Sequence, residues 1–173
     1  MKKTAVFIIA PNKFRDEELN HPKEILENQG IAISVASKNT KNAVGALGAK
    51  VKVDLDVSEI DIRRYDALIL VGGEGAMLYF NDPQIHKIVK DAYKKEKIIG
   101  AICIAPTILA NSGILKGKKV TSFPTEEKNL EQKEAIYTGE NITTDGQIIT
   151  ANGPSSARLF GKKIFELLSN NSQ

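Results

Sequence analysis

Short apolar runs rich in β-branched residues alternate along this chain with stretches whose apolar positions recur at helical spacing. Ala5–Ala10 reads as a first strand. Asp16–Gln29 follows as a helix, with Leu19, Ile25 and Leu26 on one side and Gly30 placed to end it. Ile31–Ala36 is a second strand and Val51–Val53 a weaker one. Ala67–Val71 is continuously apolar, as a strand buried on both faces should be. Pro83–Lys94 reads as a helix with Asp82 as its cap and proline at its first position. Ile98–Ile102 is another buried strand, and Pro106–Ser112 a short helix stopped by Gly113. Lys119–Ser122 and Gln147–Ala151 read as later strands, and Pro154–Leu168 as a last helix with Leu159, Ile164, Phe165 and Leu168 as its apolar stripe. Pro124–Asn141 is polar and poorly periodic, a loop with room for a short hairpin, and Ser169–Gln173 is expected to fray. The alternation predicts an α/β domain: a doubly wound, mostly parallel sheet with helices on both faces and its ligand site at the carboxyl ends of the strands.

Composition narrows the function. A chain of 173 residues with 42% hydrophobic and 26% charged residues suits one ordinary globular domain, residues 1–173, with a core of its own. The net charge is +3, and the lysines are scattered rather than gathered into a stripe, so nucleic acid is not an expected partner. Lys94, Lys95 and Lys97 close one helix, and Lys116, Lys118 and Lys119 flank a turn, both readable as solvated faces. Ala5–Ala10 is too short to cross a membrane, and no targeting signal is evident. One cysteine cannot form an internal disulfide, which points to a reducing compartment; the cytoplasm is the expected location. His21, His86 and Cys103 fall in different elements without metal-ligand spacing, so neither metal nor cofactor is expected.

That cysteine sits where chemistry is easiest to build. In Ile98-Ile99-Gly100-Ala101-Ile102-Cys103-Ile104-Ala105-Pro106, an apolar strand runs into Cys103 and a helix begins almost at once. Small residues two before and two after, Ala101 and Ala105, give the form of a nucleophile elbow. The sulfur is then expected at the sheet edge under a helix N-terminus, with its thiol pKa depressed. The plainer reading is a buried, inert cysteine. Strand Ala67–Val71 ends in Gly72-Gly73-Glu74-Gly75 at the same edge, where main-chain N–H groups, with that of Ile104, can form an oxyanion hole. Asp16, Glu17 and Glu18 cluster at a helix start after the first strand. Two of them suffice to complement the helix dipole, leaving one carboxylate to reach Cys103; buried there, its pKa rises and it can donate a hydrogen bond to a thiolate.

These stations together resemble the ThiJ/PfpI superfamily, whose members include intracellular proteases and the parkinsonism-associated deglycase. The matching pieces are Phe14…Glu18…Pro22, Val53-Asp54-Leu55, Tyr65-Asp66-Ala67-Leu68, Gly72-Gly73, Ala101–Pro106, Lys119–Ser122 and Gly153-Pro154. The resemblance implies a flavodoxin-like fold, Cys103 as nucleophile, Glu18 as the acid that contacts it, Gly73 and Ile104 as oxyanion donors, and homodimers or larger homo-oligomers. The chain departs from the pattern at two places. PfpI-type proteases carry histidine directly after the cysteine, where this chain has Ile104, and the deglycase type carries one before a proline, where it has Phe123-Pro124. His86 falls on a helix surface; His21, one turn from Glu18, is a candidate for the site or an interface.

Three functions follow. The first is an enzyme acting on small reactive carbonyls or their adducts, as glyoxalases and deglycases do. The second is a cysteine peptidase, which the missing histidine disfavours because amide hydrolysis needs an acid for its leaving amine. The third is a non-catalytic oxidative-stress sensor or chaperone built on an exposed thiolate.

Overall fold

The computed structural model describes residues 1–171. In chain order the elements are β1 (Thr4–Ile8), β2 (Asn12–Phe14), α1 (Asp16–Asn28), β3 (Ala32–Ser37), β4 (Asn42–Gly45), β5 (Lys50–Lys52), β6 (Leu55–Asp56), β7 (Ala67–Leu70), α2 (Pro83–Lys94), β8 (Ile98–Ile102), α3 (Pro106–Asn111), β9 (Lys119–Val120), α4 (Glu127–Gln132), β10 (Ile136–Tyr137), β11 (Ile142–Asp145), β12 (Ile148–Ala151) and α5 (Ala157–Asn170). Seven strands form the central sheet in the order β11-β12-β8-β7-β1-β3-β6. All pair in parallel except the β11–β12 hairpin. From β1 the chain winds outward one way through β3 and β6, then returns to β7 and winds the other way. The carboxyl ends of β1 and β7 therefore bracket the switch point where such sheets place their ligands.

The core is the sheet itself. Every residue of β7, β8 and β12 is buried, as their unbroken apolar runs require when helices cover both faces. Against it lie Ile85, Val89 and Ala92 of α2, and Ala157, Phe160, Ile164 and Leu168 of α5. α1 packs against α5, and α2 against α3. Asp82 caps α2, accepting from the N–H groups of Gln84 at 2.9 Å and Ile85 at 3.4 Å while pairing with Lys38. Asp82→Ala should therefore cost about 1–2 kcal/mol in urea denaturation, with an unchanged m-value. Among the described residues no helix is long and apolar enough to cross a membrane.

Several expectations are corrected. Lys119–Ser122 continues as strand only to Val120, and it pairs with β10 in a separate two-stranded sheet. Thr121 leaves the ladder because its N–H goes to the Thr150 hydroxyl and its own hydroxyl to the Glu140 carbonyl. Pro124–Asn141 is not a loop with a hairpin. It holds a 3-10 turn over Pro124–Glu126, then α4, then β10, which runs parallel to β9. Only Leu130 of α4 is buried, so the segment carries no apolar period to read. Leu159 stands outside the α5 stripe, 44% exposed, and Phe160 takes the buried position. Ser169 and Asn170 still belong to α5; residues 172 and 173 lie outside those described.

Candidate active site

Three connections meet at the carboxyl edge of the sheet. β8 delivers Cys103, whose φ of +65° is the left-handed conformation a side chain adopts only under constraint. The constraint is visible on both sides of the residue. Its N–H donates to the Ala151 carbonyl of β12 at 2.9 Å, and its carbonyl accepts from the Phe123 N–H at 2.8 Å. The turn aims the sulfur out of the strand; Cys103 keeps 8% exposure. The main-chain N–H groups of Gly73 and Ile104 lie near enough to the sulfur to favour its thiolate form.

β7 delivers the glycine pair. Gly73 has φ +92°, and a Cβ there would lie 2.3 Å from the Arg15 nitrogen. Gly72 accepts from the Arg15 N–H through its carbonyl and gives its own N–H to Glu18 Oε1 at 3.0 Å. A Cβ on Gly72 would stand 2.6 Å from both Cys103 Cβ and Glu18 Oε1. Glycine at 72 is thus what lets the acid and the cysteine share one space.

Glu18 comes from the first turn of α1, after β1 and β2. Its side chain is fully buried (0% exposed), and Oε2 has no hydrogen-bond partner of standard length. A sealed, orphaned carboxylate oxygen is costly when charged. Burial accordingly pushes the Glu18 carboxyl up to about 8, against the pull of the Cys103 thiol and the Gly72 N–H. Glu18 is therefore protonated at neutral pH.

The thiol also moves up, to about 12, first because it is buried and second because of the Glu18 charge; the N–H groups of Gly73 and Ile104 pull the other way. This corrects the expectation of a depressed thiol. α3 has only six residues, and the field of its N-terminus does not offset desolvation. The acid and thiol form one titrating pair. The first proton leaves near pH 8, and the singly protonated pair admits the arrangement of thiolate, protonated acid and two N–H donors.

His21 is half-buried on α1, with its field on Glu17. His86 is half-buried rather than solvated: its Nε2 lies 2.8 Å from the Phe80 carbonyl. The neighbouring acids have separate work. Asp16 accepts from the N–H groups of Leu47 and Ala49 and so anchors the loop after β4, a role beyond dipole complementation. Glu17 pairs with Arg15. Two clefts of about 680 and 650 Å³ lie elsewhere on the molecule, lined by other residues.

The sequence profile of the DJ-1/PfpI family matches residues 3–167. The chain belongs to that family. An uncharacterised protein of Methanocaldococcus jannaschii is 38% identical to it, over 97% of this chain and 83% of the relative. A glutathione-independent glyoxalase of Caenorhabditis elegans is 28% identical, over 96% of this chain and 89% of that one. A deglycase of Thermococcus kodakarensis is 29% identical, over 94% and 98%. Among solved structures, a ThiJ/PfpI domain protein from Brachyspira murdochii superposes with a TM-score of 0.95 at 30% identity, covering 98% of this chain and 99% of that one. This DJ-1/PfpI chain therefore shares both sequence and backbone with relatives along nearly its whole length.

Proposed function

We propose that the chain is a cofactor-independent enzyme acting on small α-oxoaldehydes or their adducts, with Cys103 as nucleophile and Glu18 as proton carrier. The observation that carries this reading is a fully buried acid, its Oε2 unpartnered, electrostatically coupled to a sulfur that the main-chain N–H groups of Gly73 and Ile104 favour as thiolate. Relatives named as a glyoxalase and a deglycase support the same chemistry.

The Cys103 thiolate attacks the aldehyde carbon while Glu18 protonates the carbonyl oxygen, and the N–H groups of Gly73 and Ile104 stabilise its developing charge. The resulting hemithioacetal loses its C1 proton to the Glu18 carboxylate, giving an enediolate. Its C1 hydroxyl proton passes to the C2 oxygen and Glu18 returns the carbon-bound proton to C2, leaving a thioester, which water hydrolyses to a 2-hydroxy acid and free Cys103. One aldehyde carbon is oxidised and the adjacent ketone carbon reduced, so no external oxidant or reductant is needed. Peptidase action is less well supported, since the His86 ring is engaged by the Phe80 carbonyl and the residue after the nucleophile is Ile104 rather than histidine.

The test is lactate formed from methylglyoxal by the pure protein without glutathione. Turnover should rise with pH to a plateau above about 8, where the pair has lost its first proton. Cys103→Ala should abolish it. No lactate at any pH from 6 to 9 would overturn the reading.

A further inference from the structure

We infer that Phe123 is a specificity-determining wall of this site, and that the preferred α-oxoaldehydes carry a flat apolar substituent. The inference rests on the proposed function and names its substrate class. Phe123 is one of the few large apolar side chains left open to solvent, 41% exposed. It is also one hydrogen bond from the nucleophile, since its N–H holds the Cys103 carbonyl. Its ring lies over Gly153, where a Cβ would sit 3.6 Å from Cδ1. Gly153 is two residues beyond Ala151, the partner of the Cys103 N–H, so the ring sits at the end of β12 that holds the nucleophile's backbone.

An exposed aromatic on a loose loop would mean little. This one is fixed. The Phe123 carbonyl accepts from the Glu126 N–H at 3.0 Å and from the Ser122 hydroxyl at 2.8 Å. The Glu126 side chain is buried at 7% exposure, and its carboxylate accepts from the hydroxyls of Thr107 and Thr125 and from the Asn129 amide. Thr107 lies on α3, one turn past the nucleophile. A buried carboxylate that the proposed chemistry does not use therefore ties the Phe123 turn to the cysteine helix. Half-buried Ile104 follows the sulfur directly. The nucleophile thus has a preset aromatic side chain and an aliphatic one as neighbours, which can cover a flat apolar substituent but offer a methyl group little area.

The experiment compares kcat/KM for phenylglyoxal, read as mandelate, with kcat/KM for methylglyoxal, read as lactate, in wild type, Phe123→Leu and Phe123→Ala. Wild type should favour the phenyl compound by about tenfold or more, with the ratio falling through Leu to near one in Ala. A wild-type ratio near one, or a ratio that Phe123→Ala leaves unchanged, would overturn the inference while leaving the carbonyl reading intact. If neither compound is consumed, the proposed reaction fails. The wall is then judged by protection of Cys103 from iodoacetamide: mandelate should protect wild type better than lactate and lose that advantage in Phe123→Ala, and equal protection would refute it.

Discussion

Glu18→Gln should abolish the loss of stability that wild type suffers as pH rises through about 8, and cripple turnover in the same molecule. Burial holds the Glu18 carboxyl near 8 in the folded chain, against 4.5 for an unperturbed carboxyl. A pKa raised by folding means the native state binds the proton more tightly than the unfolded state. The resulting stabilisation is fully present below about pH 4.5 and is lost as pH rises through about 8. The span corresponds to about 5 kcal/mol. No solvent screening reduces it, because the group is fully buried. Glutamine keeps the shape without the charge. The variant should therefore match wild type in urea denaturation at pH 5 and exceed it at pH 9 by several kcal/mol. Turnover should fall by about 10²–10⁴-fold, the usual contribution of a positioned proton carrier. A variant that gains no stability at pH 9 would show that Glu18 does not carry a buried charge.

Gly72→Ala should damage the same pair from the other side. The added methyl would meet Cys103 Cβ and Glu18 Oε1 at 2.6 Å and the Ile102 carbonyl at 2.7 Å. The Ile102 carbonyl is backbone of a fully buried strand and cannot yield cheaply. The acid and the nucleophile must move apart, by something like an ångström. That displacement predicts a loss of about 100-fold in turnover and a stability cost of about 3 kcal/mol. Alkylation of Cys103 should persist, since the sulfur remains; turnover within a fewfold of wild type would mean the two groups need not share that space.

The parts of this site that the sequence declares are those with a backbone reason. The apolar run into Cys103 with alanines on either side and the double glycine after β7 can be read because sterics leave few other residues possible there. Glu18 was separable from Asp16 and Glu17 only through the family resemblance. All three carboxylates look alike at a helix start, and what distinguishes them is tertiary: Asp16 reaches the loop after β4, Glu17 reaches Arg15, and Glu18 reaches Gly72 beside the nucleophile. The direction of the thiol shift is not legible in the sequence, because helix polarity is visible there whereas the depth of the sulfur and its carboxylate neighbour are not. The turn that presents Phe123 was likewise hidden. Its order comes from one buried carboxylate gathering three polar partners, in a segment that reads as an uneventful polar loop.

The whole account depends on a protonated acid sealed against the sulfur. The direct measurement is the titration of the Glu18 side-chain carboxyl by ¹³C NMR in the folded, wild-type protein, assigned by comparison with Glu18→Gln. The account predicts a midpoint near 8. A midpoint near 4.5, with the carboxylate ionised throughout the neutral range, would contradict it.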